Sequence, residues 1–147
     1  MKQIMFPFHR IGLANIGFVL ILCTGQTMAE VVAVVSAESP VTALSRNQVV
    51  DIFLGRMSRF PGGEQAVPID QEEDSAARDE FYARFAELSP AQVKAHWSKI
   101  IFTGRGLPPK TVSNSIEVKK AVVKNPNAIG YIERSLVDHS VKVLLTQ

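Results

Sequence analysis

Cysteine is almost missing from this chain: its 147 residues hold one, Cys23, and it lies in the N-terminal stretch. Beyond residue 29 there is none, so no disulfide stabilises the fold, and stability has to come from the core. A surplus of either charge is missing too. The formal +2 of the whole chain comes from Lys2 and Arg10, and residues 30–147 carry 14 basic against 14 acidic side chains. That balance argues against nucleic acid, which calls for a clustered basic face. No G-x-S-x-G, H-E-x-x-H or paired Cys–His arrangement occurs, and no set of two or three catalytic groups can be named, so the chain reads as a non-enzyme. His96 and His139 are far apart in sequence with no cysteine or further histidine beside them, so no metal is expected. Gly104-x-Gly106 lacks the third glycine and the preceding strand of a dinucleotide fingerprint, so no cofactor is expected either. There is no repeat, no low-complexity segment and no internal linker.

Long apolar runs are scarce as well. The main one, Ile11 to Cys23, is short and broken by Gly and Asn, which suits a signal core better than a membrane span. Lys2 and Arg10 supply a positive region before it, and Thr27-Met28-Ala29 offers small residues at the outer positions of a cleavage site. The expectation is a signal peptide over residues 1–29, cut after Ala29. Leu22 stands before Cys23 where a lipidation signal needs a small residue, which argues against a lipoprotein. Residues 30–147 are enough for one domain with one core.

The body of the chain alternates strands and helices. Val31-Val32-Ala33-Val34-Val35 is a continuous β-branched run, the pattern of a strand buried on both faces. Ser45 followed by Gln48 spells a capping box for a helix with Val49, Ile52 and Phe53 on one face and a stop at Gly55. Pro61-Gly62-Gly63 marks a turn, and a short strand is expected from Ala66 to Ile69. Asp74 or Ser75 caps a second helix carrying Phe81, Tyr82, Phe85 and Leu88. Ser89-Pro90 starts a third, with Val93, Trp97, Ile100 and Ile101 directed toward the core. After the stiff loop from Thr103 to Pro109, Asn114 or Ser115 caps a fourth helix with Val118, Ala121 and Val122 on its apolar face. Lys119, Lys120 and Lys124 suit its C-terminal half. Asn125 is expected in a left-handed conformation, with Pro126 ending the helix. The strand Ala128-Ile129-Gly130-Tyr131-Ile132 follows, its glycine marking a close neighbour. Val141 to Leu145 reads as a last strand. The pattern is that of an α/β domain.

The helix, Asn-Pro stop and A-I-G-Y strand resemble the V-x-x-x-P-G-A-I-G-Y pattern of the periplasmic phosphate-binding-protein family, the substrate-binding components of phosphate ABC transporters. Leu44 to Arg56 resembles that family's L-s-x-x-Q-l-x-x-I-F-x-G-k helix. Val67-Pro68-Ile69, then Ser75-Ala76-Ala77 and Phe81, resembles its strand and phosphate loop, usually S-G-T with a phenylalanine four residues after the threonine. His96-Trp97, Phe102-Thr103-Gly104 and Pro108-Pro109 resemble short single-domain relatives. The resemblance spans roughly residues 31–145. It implies a single three-layer, periplasmic-binding-protein-like lobe, a mixed sheet flanked by helices, in a periplasmic protein. Full-length members have two lobes with the ligand between them, and this chain matches only the second.

The resemblance also implies a site. An oxyanion needs backbone N–H groups converging at a helix N-terminus, helped by hydroxyls and an arginine. Ser75 matches the family's first hydroxyl, while Ala76 and Ala77 replace Gly and Thr and keep only their amides. Gln71 lies where the family usually has an arginine, and Arg78, one turn into the helix, is the nearest substitute. Glu73 matches an acidic residue that can accept a proton from phosphate. Ser39, after the first strand, sits where the second lobe can offer a contact. The candidate contacts are thus Ser39, Glu73, Ser75, Ala76, Ala77 and Arg78. An ordinary N-cap flanked by acidic residues stays open as the plainer reading. Arg56 and Arg59 read as solvated surface.

The function implied is phosphate or other small-oxyanion binding linked to ABC transport, with the transporter or an envelope protein as partner and a second copy as one way to rebuild the cleft. The rival reading is a protein-interaction or sensor-associated module that kept the fold and lost the ligand. It predicts an exposed apolar patch near Phe60 or Leu107.

Overall fold

The computed structural model describes residues 29–144. The expected signal peptide lies outside the described residues apart from Ala29, and so does Leu145. Five strands form one sheet: β1 (Val31–Ser36), β2 (Val67–Gln71), β3 (Lys110–Val112), β4 (Ala128–Glu133) and β5 (Val141–Val143), in the order β3-β2-β4-β1-β5. β2 runs parallel to both β3 and β4, whereas β1 is antiparallel to β4 and β5. The expected mixed α/β architecture is therefore present. β1 is buried along its whole length, as its β-branched run requires.

Helices cover both faces. On one, α1 (Arg46–Phe53) and α2 (Ala76–Phe81) pack against the sheet in a cluster with Val31, Ala33, Val35, Ile129 and Tyr131, which α3 (Pro90–Phe102) joins through Val93 and Trp97. On the other, α4 (Ser115–Lys124) packs through Val118 and Val122 on Val32, Val34, Ile69 and Ile132. The two apolar sets of β1 alternate between the faces, as the period of a strand dictates.

The caps follow the sequence closely. Ser45–Gln48 and Ser89–Gln92 form complete capping boxes, and Pro90 opens α3. Ser75 caps α2 and Asn114 caps α4. Gly55 follows α1 with φ of 71°, and a Cβ there would lie 2.8 Å from the Trp97 ring, so the position needs glycine twice over.

Four expectations fail. β2 runs two residues further than expected, bringing Asp70 and Gln71 into the sheet, and β3 had no apolar run to announce it. α2 ends at Phe81 and passes into a π-helical turn over Tyr82–Ala86, where the widened backbone coincides with burial of Phe81, Tyr82 and Phe85. Asn125 has φ of −135°, extended rather than left-handed, since its own side chain accepts from the Asn127 N–H. Ile101 is 51 % exposed instead of core-facing, and α3 reaches the core through Val93 and Trp97.

Gly130 shows the tightest approach: a Cβ there would sit 2.4 Å from Val118 Cγ1 and 3.1 Å from Val122 Cγ2. Both valines are fully buried and stiff at χ1. Gly130→Ala is expected to destabilise the fold by about 1–3 kcal/mol in urea unfolding. Combined with Val118→Ala, the loss should be smaller than the sum of the two single losses. Simple additivity would show that α4 does not set the requirement for glycine.

Candidate functional site

The C-terminal ends of parallel β2 and β3 each lead to a helix start, β2 to α2 and β3 to α4. A polar cluster fills the space they define. Asp70, at the end of β2 and 2 % exposed, is its centre. Its Oδ1 accepts from the Gln71 N–H at 2.8 Å and from the Tyr131 hydroxyl. Its Oδ2 accepts from the Tyr82 hydroxyl at 2.7 Å and lies 3.5 Å from Arg78 Nε. A carboxylate removed from water needs such a set, because burying the charge unpaired is prohibitively costly. The Arg78 guanidinium also sits 5.3 Å above the Tyr82 ring.

Gln71 links the two helix starts. Its Oε1 accepts from Ser75 Oγ at 2.7 Å, and its Nε2 donates to Ser115 Oγ at 3.1 Å and to the Tyr131 carbonyl at 3.3 Å. Ser75 Oγ also accepts the Arg78 N–H as the cap of α2. Gln71 thus engages the hydroxyl of Ser75, one of the residues expected as an oxyanion contact.

The candidate residues divide accordingly. Ser75, Ala76, Ala77 and Arg78 come together at the α2 start, where the Ala76 and Ala77 amides are first-turn donors that the helix itself cannot pair. Arg78, however, is buried and turned inward to Asp70 rather than toward an incoming anion. Glu73 is exposed and pairs with Lys94 at 3.3 Å. Ser39 is not part of this group: it follows the end of β1, which runs antiparallel to β4 and hence to β2, so it lies at the opposite end of the sheet. There its buried hydroxyl accepts the Val41 N–H in a local turn. Sequence reasoning missed Asp70, Tyr82, Tyr131 and Ser115 as members of the cluster. A carboxylate inside a strand otherwise destined for the core was the signal available at Asp70.

Residues set aside behave as expected: Arg56 pairs with Asp51 at 3.3 Å, and Arg59 donates to the Gly63 carbonyl at 2.9 Å, both exposed. His96 is a partner of the Leu54 carbonyl at 2.9 Å, tying α3 to the end of α1. Among the described residues, no group of three or more metal-ligating side chains gathers, and no helix is long and apolar enough to cross a membrane. Of the two places expected for an apolar patch, Phe60 is buried and Leu107 is 83 % exposed.

No family model matches the sequence, and no curated protein matches it. Solved structures do. A protein assigned as a phosphate ABC transporter substrate-binding protein from Clostridium perfringens, solved with phosphate bound, superposes with a TM-score of 0.64 at 25% identity. The match covers 79% of this chain and 44% of that one. This chain is similar to phosphate-receptor structures and shares their fold. An ABC-type phosphate transport receptor from Vibrio cholerae gives a TM-score of 0.62 at 22% identity, over 79% of this chain and 45% of that one. PstS from Borrelia burgdorferi gives 0.57 at 15% identity, over 80% and 47%. The phosphate-receptor-like chain thus spans less than half the length of the structures it matches.

Burial pushes the ionisation of both Tyr82 and Tyr131 far above the ordinary tyrosine value of 10.0, and the adjacent Asp70 charge adds to the effect. These are the only two tyrosines in the chain. In the unfolded chain they ionise near pH 10, whereas in the folded one they hold their protons. Their contribution to stability is therefore complete below about pH 10 and falls as the pH rises above it. Tyrosinate absorbance and far-ultraviolet circular dichroism should change together in one alkaline transition. Tyrosinate forming ahead of unfolding would contradict the buried network.

Proposed function

We propose that this chain is an exported, non-enzymatic solute-binding-protein-like domain that takes a small oxyanion, phosphate foremost, in a process linked to ABC transport. The observation that carries the reading is the likeness to the phosphate-bound receptor, at 25% identity over most of this chain. The proposed contacts are the Ala76 and Ala77 amides and the Ser75 hydroxyl, where the dipole of the helix start favours negative charge. For Ser75 to take part, Gln71 has to release its hydroxyl. Arg78 acts from behind, its charge largely answered by Asp70. Export follows from the expected signal peptide over residues 1–29, with the protein beginning at Glu30 in the periplasm.

The Gln71 contacts favour a second reading, a protein-interaction module that kept the fold. With Ser75 and Ser115 held by Gln71 and Arg78 paired to Asp70, the side chains at the two helix starts are turned to one another rather than outward. The chain also spans less than half the length of the receptors it matches, and ligand sites favour clefts with two walls.

A thermal melt of phosphate-free protein, repeated with millimolar phosphate, sulfate and chloride, separates these readings. Phosphate present at about 100 times its dissociation constant adds roughly 2.7 kcal/mol. For a domain of this size that raises Tm on the order of 10 °C. The first reading expects this shift with phosphate and its loss in Ser75→Ala when each protein is compared with its own phosphate-free melt. No shift with any anion would overturn the oxyanion reading and leave the interaction module.

A further inference from the structure

The end of α3 and the loop after it carry the two most exposed large apolar side chains among the described residues. Phe102, the last residue of α3, is 94 % exposed, Leu107 in the loop is 83 % exposed, and Ile101 is half exposed. Looseness does not explain these exposures. The Thr103, Gly104 and Arg105 N–H groups close the helix end onto the Lys99, Ile101 and Ile100 carbonyls. Gly104 adopts φ of 66°, a left-handed turn, and Pro108-Pro109 stiffens the exit. Trp97, one turn back, is buried against Gly55. The apolar side chains are held outward by a fixed backbone.

Charge is arranged to match. From Glu87 to Glu117 the chain has no acidic residue, yet it carries Lys94, Lys99, Arg105 and Lys110. Lys94 is answered by Glu73. Lys99, Arg105 and Lys110 have no carboxylate partner among the described residues. In a chain whose residues 30–147 balance overall, this is a local excess of positive charge around protruding apolar groups.

We propose that this end of the molecule docks on an anionic lipid bilayer, with Phe102 and Leu107 entering the interface and Lys99, Arg105 and Lys110 facing the headgroups. Interfacial binding combines burial of aromatic and aliphatic side chains with attraction of nearby cations to anionic lipid. Charge complementarity favours an anionic bilayer. Among the described residues, unpaired cations at Lys99, Arg105 and Lys110 beside protruding apolar groups combine the two terms by which an anionic interface is bound. The proposal does not depend on an oxyanion being bound.

Phe102→Trp in the full chain provides a reporter inside the proposed surface, against the constant background of buried Trp97. The expected result is a blue shift and quenching by brominated acyl chains with vesicles of phosphatidylcholine and phosphatidylglycerol, and neither with phosphatidylcholine alone. In the reporter background, Lys99→Gln and Arg105→Gln should each weaken partition about fivefold, and Leu107→Ser roughly tenfold. Lys120→Gln, on the outer side of α4, should leave it unchanged. The proposal is overturned if the reporter keeps its water-exposed emission on anionic vesicles, or responds equally to both vesicle types. It is equally overturned if the three weakening substitutions have no effect, or if an acidic protein shields the reporter while vesicles do not.

Discussion

The fold is organised around a carboxylate that water cannot reach. Asp70 lies next to the end of the second strand inside the sheet, and its charge has to be answered by the protein. The answer comes from three directions: Tyr131 from the neighbouring strand, Tyr82 from the π-helical turn, and Arg78 from α2. Each tyrosine also has an apolar body, and the same rings build the core. Phe81 stacks on Tyr131 at 4.1 Å between centroids and meets Phe53 at 4.8 Å. The polar cluster and the aromatic core are therefore one unit, and the position of α2 is fixed from both sides. Arg78 answers the charge as an ion pair, without a hydrogen bond from its Nε, so the network depends most on the two tyrosine hydroxyls.

The contacts of that unit also determine how open the two helix starts are. Gln71 ties Ser75 to Ser115 across the two helix starts, so hydroxyls suited to an anion spend their hydrogen bonds within the protein. Arg78, which by sequence alone could face an anion, faces Asp70. The free donors are main-chain amides at Ala76 and Ala77. An anion taken there, as proposed, would have to displace an internal glutamine, so its affinity would depend on that exchange rather than on the helix dipole alone.

The structural likeness and the partial length pull in different directions. Between 79% and 80% of this chain superposes on phosphate receptors, but under half of each receptor is represented. Fold is shared more widely than function, and function is carried by the site. Here the side chains at the two helix starts are engaged with one another. The protruding, cation-ringed end of α3 lies outside that site and gives the molecule a second surface with its own chemistry.

Much of the architecture could be read from the sequence because it rests on local rules. Caps at Ser45, Ser75, Ser89 and Asn114, the stop at Gly55 and the buried β1 each need only a few neighbouring residues. Gly130 could be flagged, though its partners Val118 and Val122 could not be assigned by distance. What escaped was whatever depended on residues far apart in the chain. β3 exists because β2 offers it an edge, not because Lys110-Thr111-Val112 has a strand pattern. Ser39 left the candidate site because β1 runs against β2, a direction that no local motif records. Arg78 turned inward because Asp70 lies buried beside it, and Asp70 was buried only once β2 ran on into the sheet. The sequence by itself determined where segments start, stop and hide their apolar faces, since those choices are made within a turn or two of backbone. Tertiary structure alone decided which polar groups would meet, because a buried charge takes its partners from whatever the fold brings within hydrogen-bond reach.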